Sequence, residues 1–431
     1  MIWFLPLMVL VFIGLPVAYA LGFLGLIGLT VNINWIAACS NLISILFGAT
    51  SSYPLSCIPM FILMGELSYQ AGITEDLFDA ANVWLGRLRG GLVISTNFAC
   101  ALFGACSGST IASASVFTKM TLPNMIESGY DKRLATGCIA SAGALACMIP
   151  PSILMVIYGI IASQPINKLL IAGFVPGLMS ALLFGVGIYV AVRFKPELAP
   201  DVNAEKISFI TKLRETKKLL ALGLLFALVM GGLFVGLFTS TAAGAIGSTG
   251  ALMVLIAKRK FTWRGFRQAL VNAGILSCSL LIIITFGNFF SFVISTSGAI
   301  ERFTNFVVNL NLSPTAILFM IVLVYFVLGA MIDPTSMLII TLPAVMPIAE
   351  AFEFDPVWFG IIVVTMLEVG VMTPPIGMNV YTVKVVAGDS VTINECFVGT
   401  LFFLILMLVS LGITILFPEL VLWLPNLMDT G

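Results

Sequence analysis

Histidine is absent from the 431-residue sequence, and only 9% of the residues are charged. Without imidazole groups, the chain has no histidine base, histidine metal ligand or histidine proton relay. Soluble domains carry roughly 25% charged residues, whereas 60% of this chain is hydrophobic. The composition and the long apolar runs described below therefore indicate an all-α polytopic membrane protein.

Cysteine-pair motifs, catalytic signatures and net charge are lacking as well. The eight cysteines stand singly in apolar segments, which argues against a disulfide framework or a zinc site. Neither His-Glu-x-x-His nor Asp-Asp-x-x-Asp occurs, so an intramembrane enzyme is the less favoured alternative. Twenty basic and twenty acidic residues give a net charge of zero, so nucleic acid is not an expected partner.

Apolar runs long enough to cross a bilayer, roughly 20 residues, recur along the chain. The first run is uncharged and exceeds the core of a signal peptide, so we expect it to remain as a span. The polar stretches 194–218 and 258–267 are rich in lysine and arginine, which predicts a cytoplasmic location for both. The candidate spans are 3–30, 36–52, 55–72, 168–193, 219–238, 241–257, 269–297 and 396–416.

One pattern occurs twice in the chain. Gly104 precedes the Pro150-Pro151 pair by 46 residues, and Gly329 precedes the Pro374-Pro375 pair by 45. Repeats that carry broken helices at matching positions are typical of secondary transporters.

Further matches extend the repeat in both directions. Asp131 and Asp355 each lie 19 residues before the first proline of their pair, and Gly72 and Gly298 align upstream. The inferred halves are residues 1–193 and 219–431.

An amphipathic segment follows each upstream glycine, at 73–90 and at 298–313. Such helices can lie along the membrane interface instead of spanning it. The first ends with Arg87 and Arg89, and the second has few basic residues. This asymmetry predicts that the two arm helices lie on opposite membrane faces, as in an inverted repeat; ordinary connectors are the alternative.

The two Pro-Pro pairs break helices within apolar segments. Proline donates no hydrogen bond, so each pair frees carbonyl groups four residues earlier. Such groups must lie against protein or a wet cavity. The breaks can thus supply oxygen atoms to a cation and half-helix N-termini to an anion; a plain proline kink is the alternative. The predicted free carbonyls belong to Ala146, Cys147, Gly370 and Val371.

Two further stretches resemble tips of re-entrant hairpins. Ser107-Gly108-Ser109 offers hydroxyls, which are hard oxygen ligands, although small residues also serve close helix packing. Asp333-Pro334-Thr335 places a carboxylate in a long uncharged stretch, where ionisable groups are costly and usually functional. Asp333 as a mere helix cap is the alternative.

Two other polar residues lie near the second break. Glu368 precedes Pro374 by six residues and is predicted to orient the break or to pair with a basic group. Asn379 follows the break and either binds ligand or joins helices by hydrogen bonds.

Several motifs in order resemble the large membrane subunit of tripartite ATP-independent periplasmic (TRAP) transporters. They include "IPMFILMGELSYQAGI", "FGACSGS", "ESGYDKRLATG", "MIPPSILMVIYG" and "TPPIGMNVY". One position departs from the pattern of many members, which have an acidic residue where this chain has Ser113, after Ala112.

The resemblance implies Na⁺-coupled uptake of an organic acid across a bacterial inner membrane by an elevator mechanism. The expected substrates are carboxylates of the C4-dicarboxylate or sialic-acid type. The expected partners are a periplasmic substrate-binding protein and a small four-helix membrane subunit encoded as a separate chain. A stand-alone Na⁺/dicarboxylate symporter of related fold is the main alternative, and a channel is another.

Under this interpretation, the segments and site residues receive roles. Scaffold helices are expected at 1–72 and 219–297, arm helices at 73–90 and 298–313, transport-domain halves at 91–193 and 314–431, and a cytoplasmic loop at 194–218. The candidate Na⁺ ligands are Ser107, Gly108, Ser109, Ala146, Cys147, Asp333, Thr335, Gly370 and Thr373. The candidate substrate-binding residues are Ser113, Ser152 and Asn379.

Overall fold

The structure, a computed structural model, describes residues 3–200 and 208–428. Within these ranges the chain forms helices and no β-strand, which confirms the predicted all-α class. Five helices are long and apolar enough to cross a membrane, or up to seven if each of two bent pairs is one span. The polytopic fold is thereby confirmed.

The helices fall into two sets, before and after residues 201–207, and α12 of the second set lies within the predicted cytoplasmic loop 194–218. The first set is α1 (Phe4–Phe12), α2 (Val17–Asn32), α3 (Trp35–Thr50), α4 (Cys57–Gln70), α5 (Ile73–Leu85), α6 (Gly91–Ser107), α7 (Thr110–Glu127), α8 (Lys132–Ala144), α9 (Ile153–Ile161), α10 (Ile166–Ala172) and α11 (Phe174–Phe194). The second set is α12 (Phe209–Lys218), α13 (Leu220–Phe234), α14 (Ser240–Ala257), α15 (Trp263–Thr296), α16 (Ala299–Val308), α17 (Pro314–Gly329), α18 (Pro334–Ala351), α19 (Pro356–Met372), α20 (Met378–Ala387), α21 (Ile393–Leu416) and α22 (Glu419–Met428). Short 3-10 turns lie at Pro54–Ser56, Leu145–Cys147, Pro196–Leu198 and Gly388–Ser390.

Some helix boundaries differ from the sequence predictions. The run 3–30 is divided into α1 and α2 because Pro16, which has no N–H, lies at the N-cap of α2. The segments 36–52 and 55–72 form a pair bent by 56°. The loop 194–218 contains a helix, α12, while residues 201–207 of that loop lie outside the described residues.

Matching caps bear out the internal repeat. Asp131 and Asp355 begin α8 and α19, and each carboxylate accepts two hydrogen bonds from first-turn N–H groups at 2.8 to 3.1 Å. Gly72 and Gly298 precede the arm helices α5 and α16 with φ of +71° and +66°. The aligned aspartates therefore cap a helix in each half, and the aligned glycines make the turn before each arm helix.

The two arm helices lie at opposite ends of α15. This helix has 34 residues and is therefore about 51 Å long. Near its start, the Gln70 amide donates to the Gly265 carbonyl at 2.6 Å, and Lys258 pairs with Asp76 of α5. Its other end leads directly into α16.

The two halves are interlaced by hydrogen bonds and close packing. At Gly137 of α8 and Gly399 of α21 the backbones touch: a Cβ added to Gly137 would lie 2.3 Å from the Gly399 carbonyl carbon. Three hydrogen bonds of buried side chains also join the halves: the Tyr158 hydroxyl to Pro356 O at 2.8 Å, Asn379 Nδ2 to Ala140 O at 3.0 Å, and Ser180 Oγ to Ser410 Oγ at 2.7 Å.

Candidate cation and substrate site

The first helix break lies between α8 and α9. Pro150 and Pro151 have no N–H to donate to the carbonyls of Ala146 and Cys147. The last regular helical bond before the prolines is from the Ile149 N–H to Leu145 O, at 3.1 Å. The two carbonyls that the sequence predicts to be free have therefore lost their usual helical donors.

The first hairpin tip, between α6 and α7, lies directly against this break. Gly108 adopts a left-handed φ of +57° and makes the turn. The Cys147 thiol donates to the Gly108 carbonyl at 3.2 Å. Gly104 approaches Ala146 so closely that an added Cβ would lie 2.2 Å from the Ala146 Cα. The structure thus brings together the predicted ligands from the hairpin and from the break.

The hydroxyls of this tip are tied into local hydrogen bonds. Ser107 Oγ lies 2.9 Å from Ser113 Oγ across the hairpin. Ser109 caps α7 by accepting from the Ala112 N–H at 3.3 Å. Ser113, a candidate for substrate binding, is fully buried and lies beside a predicted cation ligand.

The second break, between α19 and α20, repeats this contact with the second hairpin. The Ile376 N–H donates to Ala330 O at the hairpin tip, at 3.2 Å. A Cβ added to Gly370 would lie 2.7 Å from the Gly329 Cα. One prediction needs a correction: the Gly370 carbonyl keeps a donor, because α19 tightens at its end and the Thr373 N–H reaches it at 3.0 Å.

Asp333 does cap a helix, as the alternative interpretation predicts. Its Oδ1 accepts from the Ser336 N–H at 2.9 Å at the start of α18. This cap engages one carboxylate oxygen, so it leaves Oδ2 for a cation. Thr335 lies half-buried in the same first turn. At the end of α19, just before the second break, the Thr373 hydroxyl donates to Val369 O at 2.7 Å.

The other two candidate substrate residues are fully buried just after the breaks. Ser152 caps α9 by accepting from the Met155 N–H at 3.3 Å. Asn379 donates to Ala140 O, so it joins helices, as one of its two predicted roles requires. Its Oδ1 has no hydrogen-bond partner among the described residues and is available to a ligand.

A cavity lies elsewhere, between α9, α15 and α18. It has a volume of about 410 Å³, and Asn288, Ser291 and Ser295 line one wall. None of the predicted site residues lines it.

The oxygen atoms at these contacts suit a hard cation. Among the described residues, no group of three or more His, Cys, Asp or Glu side chains could hold a metal ion. Carbonyls, hydroxyls and a single carboxylate are instead the ligands that hard cations such as Ca²⁺ and Mg²⁺ prefer, and Na⁺ shares this preference. The site thus fits an alkali cation better than a transition metal.

One further acidic residue belongs to this region. Glu368 of α19 is fully buried, and neither carboxyl oxygen has a hydrogen-bond partner among the described residues. Its helix packs on the turn Leu145–Cys147 of the first break, where the Thr365 hydroxyl donates to Met148 Sδ at 3.5 Å. A charged residue six positions before a helix break was the available signal.

The chain is similar to known transporters over nearly its whole length. It is 34% identical to the C4-dicarboxylate TRAP transporter large permease protein DctM of Pseudomonas aeruginosa, over 88% of each chain. It is 30% identical to the sialic acid TRAP transporter permease protein SiaT of Haemophilus influenzae, over 98% of this chain and 67% of that protein. It is 29% identical to the ectoine TRAP transporter large permease protein TeaC of Halomonas elongata, over 97% of each.

The fold resembles a crystal structure of the YdaH transporter of Alcanivorax borkumensis, with a TM-score of 0.58 over 89% of each chain at 16% identity. The profile of one family, "Tripartite ATP-independent periplasmic transporter, DctM component", matches residues 4–420. The paired hairpins, the paired breaks and these matches agree, and the chain belongs to the DctM component family of the tripartite ATP-independent periplasmic transporters.

Proposed function

We propose that this inner-membrane protein performs Na⁺-coupled uptake of an organic acid that a periplasmic substrate-binding protein delivers. The observation that carries the proposal is the duplicated contact between a hairpin tip and a Pro-Pro break. Each contact gathers backbone carbonyls with hydroxyls or a carboxylate, and broken helices of this kind bind coupling ions and substrates in secondary transporters.

The substrate class rests on the relatives. They are named for C4-dicarboxylates, sialic acid and ectoine, all of which carry a carboxylate. Half-helix N-termini at Ser152 and after Gly377 would favour such a group. Among these, we propose a C4-dicarboxylate or a sialic-acid type carboxylate.

The proposed movement is of the elevator type. The hairpins and broken helices, which the interlacing hydrogen bonds hold together, would move as one unit. The remaining helices and a small four-helix membrane subunit would form the scaffold. A stand-alone symporter of related fold is the second candidate, and it would need no binding protein.

The test is uptake of labelled acids into proteoliposomes that contain the chain with its small membrane subunit. An inward Na⁺ gradient with the co-encoded binding protein should drive uptake, and a pH gradient alone should not. Full uptake from the pH gradient without Na⁺ would contradict Na⁺ coupling. Equal uptake without the binding protein would favour the stand-alone symporter.

A further inference from the structure

The two hairpin tips differ in charge. The second tip carries the Asp333 carboxylate, whereas the first, Ser107–Ser109, offers only hydroxyls and carbonyls. A cation bound at the first tip by these groups alone would have no anion to offset its charge in a buried setting. The first site therefore lacks a component that the second site has.

Glu368 is a buried carboxyl group without a partner. Its exposure is 0%, and both of its oxygens lack hydrogen bonds among the described residues. Burying an isolated carboxylate is strongly unfavourable unless an opposite charge or hydrogen-bond donors offset it. The helix that carries it, α19, packs on the turn Leu145–Cys147 of the first break, and the Thr365 hydroxyl of the same helix donates to Met148 Sδ at 3.5 Å.

The position of Glu368 connects it to the first site and not only to its own repeat. Cys147 belongs to the first break, and its sulfur donates to the Gly108 carbonyl at the first hairpin tip. The helix that carries the Glu368 carboxyl group therefore packs on the break that lies against the tip without an anion. The Pro151 carbonyl of the first break also lies near this tip: its oxygen is 3.3 Å from where a Cβ added to Gly108 would lie.

We propose that Glu368 supplies, across the boundary between the repeats, the negative charge of the cation site at the first hairpin tip. The inference rests on the proposed Na⁺ coupling and adds a residue to that site. Na⁺ on the neighbouring carbonyls offsets the buried carboxylate, and the carboxylate offsets the ion. The two sites then carry one carboxylate each, Asp333 capping its own hairpin and Glu368 reaching from the opposite repeat.

Na⁺ binding can be measured without transport. The complex with its small subunit is purified without substrate, and its thermal midpoint is followed as NaCl replaces KCl at constant ionic strength. We expect Glu368→Gln to raise the Na⁺ concentration for half-maximal stabilisation by about tenfold or more, since a charge at an ion site is lost. The control is Glu66→Gln, whose carboxylate accepts from Asn272 Nδ2 at 3.0 Å and whose Na⁺ response should equal that of the wild type.

A second measurement assigns the effect to the first tip. In a variant that retains Cys147 as its single cysteine, Na⁺ should slow alkylation by N-ethylmaleimide, because a loaded tip holds the thiol closed. The ratio of rates without and with Na⁺ should fall toward one in Glu368→Gln and persist in Asp333→Asn. Comparing each variant with itself removes any direct effect of Glu368 on the thiol.

The outcomes of these measurements distinguish the role of Glu368 from Na⁺ coupling itself. No Na⁺ response in the wild type would overturn the proposed Na⁺ coupling itself. An unchanged Na⁺ response in Glu368→Gln would mean that the group is a buried neutral acid, and would overturn the inference alone. A shifted response with Cys147 protection intact would place the charge at the second site, which also overturns it. If Glu368→Gln does not assemble, Glu368→Asp decides, because its carboxylate is withdrawn by one methylene: weaker protection of Cys147 is expected, and full protection contradicts the inference.

Discussion

The two repeats share a backbone design and differ in the polar groups placed on it. In the first, Gly104 packs on Ala146 beside an uncharged tip; in the second, Gly329 packs on Gly370 beside a tip that begins with Asp333. The common packing sets where tip and break meet. The unequal side chains make the two contacts chemically distinct, so we expect the two proposed ion sites to differ in affinity.

The arm helices differ in a similar way. The first arm, α5, is held from outside its repeat: Trp84 donates to the Thr216 hydroxyl of α12 at 2.9 Å, and Lys212 lies over the Trp84 ring. On α16, Arg302 folds back onto the Ser297 carbonyl at 2.7 Å. One arm is thus fastened to the loop between the halves, while this arginine of the other is used locally.

The strongest test of the comparison is topological. Single cysteines replace Asp79 of α5 and Asn305 of α16 in a cysteine-free background, and an impermeant thiol reagent is added from one side. We expect all-or-none labelling from opposite sides, since the arms lie at opposite ends of α15. Labelling of both from the same side would contradict the inverted repeat; uptake by the background variant is the control for folding.

The next test uses the close approach at each hairpin. Gly104→Ala places a Cβ 2.2 Å from the Ala146 Cα, and Gly329→Ala places one 2.9 Å from the Gly370 Cα. Overpacking costs typically 1–3 kcal/mol, and we expect the loss of thermal stability to be larger for Gly104→Ala. Gly274→Ala, with no atom within 4 Å of its Cβ, is the matched control; equal losses at both hairpins would show that the two contacts are equivalent.

Asp333→Asn asks whether the second tip uses its charge. Asparagine caps a helix about as well as aspartate, so the fold should be kept, while the Na⁺ concentration for half-maximal uptake should rise by about tenfold, or ~1.4 kcal/mol. Asp355→Asn, which removes the charge from another cap in the same repeat, is the control. Normal Na⁺ dependence in a well-folded Asp333→Asn protein would leave Asp333 as a cap only.

The smallest effect is expected for the ion pair between Asp79 of α5 and Lys218 of α12. Partial burial raises the pKa of the Asp79 carboxyl, and the charge of Lys218, 4.0 Å away, opposes that shift. Exposed ion pairs contribute roughly 0–1 kcal/mol, so Lys218→Gln should lower the thermal midpoint only slightly, and less so in high salt. A large loss of stability would show that the arm depends on this pair more than its exposure suggests.

Much of this architecture was predictable from the sequence, because prolines and glycines act locally. The Pro-Pro pairs, the caps at Asp131 and Asp355, and the glycines before the arms impose backbone geometry on their own neighbours. The division of the first span at Pro16 was open to the same reasoning and was missed.

The rest depends on contacts between distant segments. The donor that the Gly370 carbonyl keeps comes from how tightly α19 ends, and no pattern of residue types sets it. The packing of the helix that carries Glu368 on the turn that ends at Cys147 joins positions 221 residues apart (368 − 147). Only the folded chain shows this packing, so the place of Glu368 beside the first break could not be predicted.

The hydrogen bonds that cross between the halves have a consequence for the divisibility of the chain. If the halves were produced as separate polypeptides, the Tyr158 hydroxyl and the Asn379 amide would each lose a hydrogen-bond partner that belongs to the other piece. A buried group left without its partner costs about 1–3 kcal/mol, on the scale of a domain's 5–15 kcal/mol of net stability. Each of the two segments that repeat each other in sequence thus depends on the other to complete part of its buried hydrogen bonding.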